Sequence, residues 1–164
     1  MNGKGAPVAN KQAMVDRIKA AADGKKDRNF VIMARFDAIG KGVSLEQTLD
    51  SATACAAAGA DAFFFSGLPL DQQGKAYDVV RKPLMMGANP TLTAAQAKAN
   101  KVTMLFCHVE NVGIGAIHQA LKELKTTGKY ENAAKMLLPA EVTQRLVTQQ
   151  DWVARGRKYN VIKA

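Results

Sequence analysis

The sequence predicts an α/β fold built on parallel strands. Four short apolar runs, near residues 30–35, 60–65, 83–88 and 102–107, alternate with stretches of helical periodicity, and strands that alternate with helices pair in parallel through right-handed crossovers. The run Phe30 to Ala34 is continuously apolar instead of alternating, the mark of a strand covered on both faces. With 164 residues the chain is read as one domain, 1–164, large enough to bury a real core. On pattern alone, four strand–helix units with trailing helices fit two architectures. One is a small open sheet; the other is half of an eight-stranded barrel, which in full takes ~250 residues.

The elements follow in order. Met14, Val15, Ile18, Ala21 and Ala22 recur at helical spacing over 11–22, and Gly24 is placed to close that helix. Phe30 to Ala34 form an uninterrupted apolar strand that runs into Arg35 and Asp37. Ser44-Leu-Glu-Gln47 has the spacing of a capping box and opens an alanine-rich helix ending at Gly59. Ala60 to Phe65 is the second strand, with three consecutive phenylalanines assigned, like Met85 and Met86, to the core. A shorter helix over 71–81 leads to the third strand, Pro83 to Ala88, and Thr93-Ala-Ala-Gln96 caps another short helix before the fourth strand, Val102 to Cys107. Helices occupy about 110 to 158: a long one to Thr126, closed by Gly128, then two more. Leu137 and Leu138 end the first of these, and Pro139 stands at the boundary before the second. Trp152 and Val153 are expected to pack on this chain or a neighbour.

Composition narrows the function classes. No apolar stretch approaches the ~20 residues that span a bilayer, and the opening Met-Asn-Gly-Lys-Gly-Ala-Pro has no apolar signal core. Cys55 and Cys107 make no metal-ligand spacing and are read as buried free thiols, which suits a reducing compartment, the cytoplasm. The formal net charge is +9, but nine basic residues fall in 1–41 and nine in 122–164, each set against four acids. Without a long basic run or interleaved aromatics, nucleic acid is not the expected partner. Lys25-Lys26-Asp27-Arg28 reads as a solvated turn after a helix. Gly113-Ile-Gly115 lacks the third glycine and the Lys-Ser/Thr of a phosphate loop, so no nucleotide site is expected there.

Arg35 and Asp37 stand out because α/β folds place their chemistry at the carboxyl ends of strands. A guanidinium grips a carboxylate or phosphonate with a planar fork that lysine lacks. The alternative is a structural ion pair between the two. His108 follows the last strand in Phe106-Cys-His-Val-Glu110; its imidazole suits acid–base work or carboxylate binding, or else simply a hydrogen-bonded place on the rim. His118 lies inside a helix and is read as a surface or partly buried residue.

Gly3-Lys4, Met14-Val-Asp-Arg-Ile-Lys-Ala-Ala21 with Asp27, and Phe30-Val-Ile-Met-Ala-Arg-Phe-Asp-Ala38 together resemble the phosphoenolpyruvate mutase/isocitrate lyase superfamily. The 2-methylisocitrate lyase and oxaloacetate decarboxylase branches are the nearest in pattern. The resemblance continues through Ala58-Gly-Ala-Asp61, the strand at Pro83 and the region from Val102 to Tyr159. It implies an (α/β)8 TIM-type barrel, of which this chain supplies the second half as four βα units plus C-terminal helices. It also implies C–C or C–P chemistry next to a carboxylate, with Mg²⁺ and an arginine stabilising the developing enolate-like oxygen.

Placed on that pattern, the chain begins after the family's Lys-Lys/Arg-Cys-Gly-His loop, and the first four strands with the acidic metal ligands precede it. The Mg²⁺ ligands are therefore not expected in this chain. The family's Ala-Arg-Thr-Asp-Ala reads Ala34-Arg35-Phe36-Asp37-Ala38 here. Ser66 stands where lyases carry a glutamate, and Gly87, with Asn89 nearby, stands where they carry an asparagine. Arg35 and His108 are thus the candidate catalytic residues, and Arg35, Asp37, Ser66 and Asn89 the candidate substrate contacts.

The implied function is that of a truncated relative of Mg²⁺-dependent lyases or decarboxylases of small 2-oxo or tricarboxylic acids, without full activity alone. Two alternatives are a non-catalytic assembly or regulatory partner and a basic nucleic-acid-associated protein. A half barrel has two unpaired edges, so a homo-oligomer or a complementary N-terminal half-barrel chain is the expected partner.

Overall fold

The computed structural model describes residues 8–159; Gly3-Lys4 of the opening motif lie outside the described residues. Contacts divide the chain into two compact units, Met1–His108 and Val109–Ala164.

The first unit contains α1 (Lys11–Gly24), β1 (Met33–Phe36), α2 (Leu45–Ala57), β2 (Ala62–Phe65), α3 (Leu70–Val80), β3 (Leu84–Gly87), α4 (Ala94–Ala99) and β4 (Val102–Phe106). The four strands form one sheet in the order β1-β2-β3-β4, and every pair is parallel. Sequential order with a helix between successive strands is the arrangement found in the wall of an (α/β)8 barrel.

Local chemistry explains where the helices start. The Asn10 side chain accepts from Ala13 N–H at 2.8 Å to begin α1. Ser44 accepts from Gln47 N–H at 3.2 Å to begin α2. Thr93 and Gln96 make the complete reciprocal capping box at α4. Each cap gives a partner to an N–H that the first helical turn leaves unpaired. Gly59, which ends the α2 turn, has φ +112°, and a Cβ there would sit 2.9 Å from the Cβ of Ala22. Glycine is required both for the backbone and for the close approach of α1 to α2.

The core lies between the helices and one face of the sheet. Ala34, Phe36, Phe63, Phe65 and Leu84 project into it and meet Ile18, Leu49, Ala52, Cys55, Ala76 and Val80. Phe36, Phe63 and Phe65 stack, with centroids 5.6 to 6.3 Å apart.

The first strand begins later than its apolar run suggested. Phe30 and Val31 are exposed, at 64% and 58%, and the strand starts only at Met33. Asp27 decides this by forming a turn: its carboxylate takes the Asn29 N–H at 2.8 Å and its carbonyl the Phe30 N–H at 3.0 Å. The chain is then fastened by Asp61, whose carboxylate accepts from Ile32 N–H and from Lys25 Nζ, both at 2.9 Å. The Ile32 N–H, ahead of the Lys25 ammonium, holds the Asp61 carboxyl below the usual carboxylate range. Lys25 thus joins the end of α1 to the start of β2 instead of lying wholly in a solvated turn.

The second unit contains α5 (Val109–Thr127), α6 (Glu131–Ala134), α7 (Ala140–Leu146) and α8 (Gln149–Lys158). Glu123 on α5 organises the next turn by accepting from Asn132 N–H, Asn132 Nδ2 and Ala133 N–H. These bonds, that of the Asn132 N–H foremost, lower its carboxyl pKa. Gly128, at φ +71°, follows α5. Leu137 and Leu138, expected to end a helix, lie past α6 and are exposed, while Pro139 caps α7. Trp152 is 63% exposed, with the Arg155 guanidinium 5.4 Å from its ring. Among the described residues, no helix is long and apolar enough to cross a membrane.

Candidate functional site

Parallel pairing places the ends of all four strands on one edge of the sheet, and the sequence candidates fall along it. Arg35 and Asp37 sit at the end of β1, Ser66 follows β2, Asn89 lies two residues past β3, and His108 two past β4. Adjacent strands are ~4.8 Å apart, so β1 and β4 are separated by roughly 14 Å along the sheet. The candidates form a rim, not one compact cluster.

Side-chain alternation decides what Arg35 faces. Ala34 and Phe36 are buried on the helix side, whereas Arg35 projects from the opposite face. Its register partner is Phe64, the middle phenylalanine of β2. The Arg35 guanidinium lies over that ring, with Cζ 5.1 Å from the centroid. Asp37 accepts from Arg35 Nε at 3.0 Å and pairs with Nη2 at 3.0 Å. The ion pair considered from sequence therefore exists, with side-chain exposures of 54% and 42%.

Asp37 occupies only one side of the fork. A guanidinium carries five N–H donors, and Asp37 takes the Nε–Nη2 side. The Asp37 pair thus leaves the Nη1 end outside it, where a second carboxylate can be gripped end-on. The row continues across the sheet through aromatic contacts. Phe64 meets Phe106 edge-to-face at 5.4 Å, and Phe106 meets the His108 imidazole edge-to-face at 4.9 Å.

The other candidates are placed as follows. Ser66 is half-buried, and its backbone N–H donates to Phe36 O at 2.8 Å, locking the ends of β1 and β2. Asn89 is exposed, and its Oδ1 accepts from Thr91 N–H and Thr91 Oγ1, both at 2.9 Å; this shapes the loop after β3. His118 is exposed on α5. Cys55 is buried, and burial raises its thiol pKa. Cys107, read as buried, is exposed because β4 ends one residue before it.

Two residues escaped the sequence reading. Sequence pattern groups Phe64 with Phe63 and Phe65 as core and marks Phe106 only as strand. Strand alternation carried a signal for Phe64, since its neighbours on both sides face the helices, but assigning it to Arg35 needed the register of β1 on β2. Among the described residues, no group of three or more His, Cys, Asp or Glu is placed to hold a metal ion.

A family model described as phosphoenolpyruvate phosphomutase matches residues 1–125. The 2-methylisocitrate lyase of Salmonella typhimurium is 33% identical over 137 residues, covering 80% of this chain and 45% of the relative. The oxaloacetate decarboxylase of Bradyrhizobium diazoefficiens is 31% identical over 147 residues, covering 87% and 50%. The chain spans about half the length, or less, of the curated relatives it matches. In fold it is similar to oxaloacetate acetylhydrolase bound to 3,3-difluorooxalacetate, with TM-score 0.79, 21% identity, 98% of this chain and 56% of that one. It is also similar to phosphonopyruvate hydrolase in complex with oxalate and Mg²⁺, with TM-score 0.74, 22% identity, 92% and 56%. Residue motifs, parallel strand order and family match agree, and the chain belongs to the phosphoenolpyruvate phosphomutase family.

Proposed function

We propose that this chain supplies the carboxylate-binding rim of a lyase or decarboxylase site for small 2-oxo or tricarboxylic acids. The observation that carries this reading is the split use of the Arg35 fork. Asp37 holds the Nε–Nη2 side, Phe64 lies under the plane, and the Nη1 end is left for a ligand carboxylate. On this reading Asp37 orients the guanidinium instead of touching substrate. Ser66 and Asn89 stand on the same edge as further polar contacts, and His108 is the acid–base candidate at its far end.

The described residues do not fit a resident Mg²⁺. They present no cluster of hard oxygen ligands, and the Asp37 carboxylate is engaged by a cation. A lyase site would be completed by groups that the described residues of one chain do not bring together, supplied by a second copy of the chain or by a complementary half-barrel chain. β1 and β4 are edge strands of the sheet, and edges with unpaired N–H and C=O groups favour such association.

The test is calorimetric titration of oxalate, oxaloacetate and 2-methylisocitrate into the full chain, paired with turnover assays in Mg²⁺. A charge-assisted fork contributes about 1–2 kcal/mol at an exposed site, so Arg35→Ala is expected to weaken binding roughly 5- to 30-fold. Binding without turnover would assign the chain a non-catalytic carboxylate-binding role. Equal binding by wild type and Arg35→Ala would remove the proposal.

A further inference from the structure

We propose that Phe64, backed by Phe106, is a positioning residue that presents the Arg35 guanidinium to a ligand carboxylate; this rests on the reading of Arg35 given above. Asp37 constrains one edge of the guanidinium, but an ion pair with both partners substantially exposed leaves the plane free to tilt. The Phe64 ring supplies the missing constraint. It lies on the same face of the sheet, in direct register with Arg35, and the cation sits 5.1 Å from its centroid. A planar cation over an aromatic face is held by the ring quadrupole, and here that contact sets the direction of the Nη1 end.

Phe64 is itself held. Although it projects from the face opposite the main core, it is only 8% exposed. The Phe106 ring meets it edge-to-face at 5.4 Å and an interplanar angle of 89°, a favoured aromatic geometry. Phe106 in turn is given room by Gly87, its register partner on β3. A Cβ at Gly87 would lie 3.2 Å from Phe106 Cζ, closer than the ring tolerates without moving. Gly87, Phe106 and Phe64 therefore form a buttress across three strands, and Arg35 stands at its end. Phe106 also meets the His108 imidazole edge-to-face, so the same pair of rings bears on both candidate groups of the rim.

Two readouts on the full chain test this. The first is ligand-free: the NMR signal of the Arg35 Nε–H, assigned by its loss in Arg35→Ala. The ring shields it in wild type; Phe64→Leu is expected to move it downfield by loss of that shielding, with the Asp37 bond retained, and Phe64→Tyr to leave it in place. The second is calorimetry with oxalate as probe. An exposed cation–π contact corresponds to roughly a two- to fivefold loss of affinity in Phe64→Leu, recovered in Phe64→Tyr. Gly87→Ala, which displaces Phe106, is expected to shift the Arg35 signal in the same direction by a smaller amount.

An Arg35 signal unmoved by Phe64→Leu would overturn the proposal, whatever happens to oxalate. So would oxalate affinity equal to wild type in Phe64→Leu. If wild type and Arg35→Ala both fail to bind oxalate, the carboxylate reading falls, and the ligand-free signal still decides whether Phe64 positions the guanidinium.

Discussion

Replacing Asp61 with alanine removes the tie that joins α1, β1 and β2. In wild type its carboxylate accepts from Ile32 N–H and Lys25 Nζ, both at 2.9 Å. Ile32 is 7% exposed, so its N–H is left nearly dry when the acceptor is removed; an unsatisfied buried donor costs about 1–3 kcal/mol. The Lys25 pair adds less, because the side chains retain 19% and 37% exposure and solvent screens the charges; such pairs are worth about 0–1 kcal/mol. The expected loss for Asp61→Ala at neutral pH is therefore about 2 kcal/mol. With an m-value of about 2 kcal/mol/M, that lowers the urea midpoint by about 1 M. Asp61→Asn keeps an acceptor for Ile32 but gives up the charge, and should lose less.

The pH dependence gives the sharper test. The folded-state pKa of Asp61 lies below its unfolded value, so its stabilisation is complete above the unfolded carboxylate range and is lost as pH falls through the folded pKa. The gap between wild type and Asp61→Ala should accordingly be constant near neutrality and narrow on acidification below about pH 4. Urea melts followed by far-UV circular dichroism across that range measure it. Equal midpoints at pH 7, or a gap that widens in acid, would refute the account.

Two further outcomes follow from packing and burial. Gly59→Ala forces a side chain onto a backbone at φ +112° and within 2.9 Å of the Ala22 Cβ; strain and overpacking together should destabilise by about 2–4 kcal/mol. The double variant with Ala22→Gly should regain only the steric share in the same urea assay. Of the two cysteines, Cys107 is exposed while Cys55 is buried with a raised thiol pKa. Iodoacetamide under native conditions should modify Cys107 at the rate of an open thiol and leave Cys55 until urea is added; mass spectrometry of the modified peptides reads the order.

Much of the fold was written in local signals. The capping pairs Ser44–Gln47 and Thr93–Gln96 use hydrogen bonds between residues three apart, which form wherever the helix forms, so their pattern survives in the sequence unaided. The apolar runs marked four strands, and their alternation with helices implied parallel pairing. The same logic failed at Phe30 and Val31, where apolarity favoured strand but the Asp27 turn ended the pairing register first. Cys107 misled for a related reason: an apolar neighbourhood in sequence says nothing about the residue at which a ladder stops.

By itself, the order of residues determined the family, the strand sequence and the candidacy of Arg35, because motif and periodicity are properties of neighbours along the chain. Only the tertiary structure decided that Arg35 turns away from the core shared by Ala34 and Phe36, that Phe64 and not Phe63 or Phe65 lies beneath it, and that Asp37 takes one side of its fork. Those facts depend on how β1 registers against β2. A shift of one residue there would exchange the two faces of the sheet and carry the guanidinium into the apolar core, so the pairing, not the presence of the arginine, makes the rim.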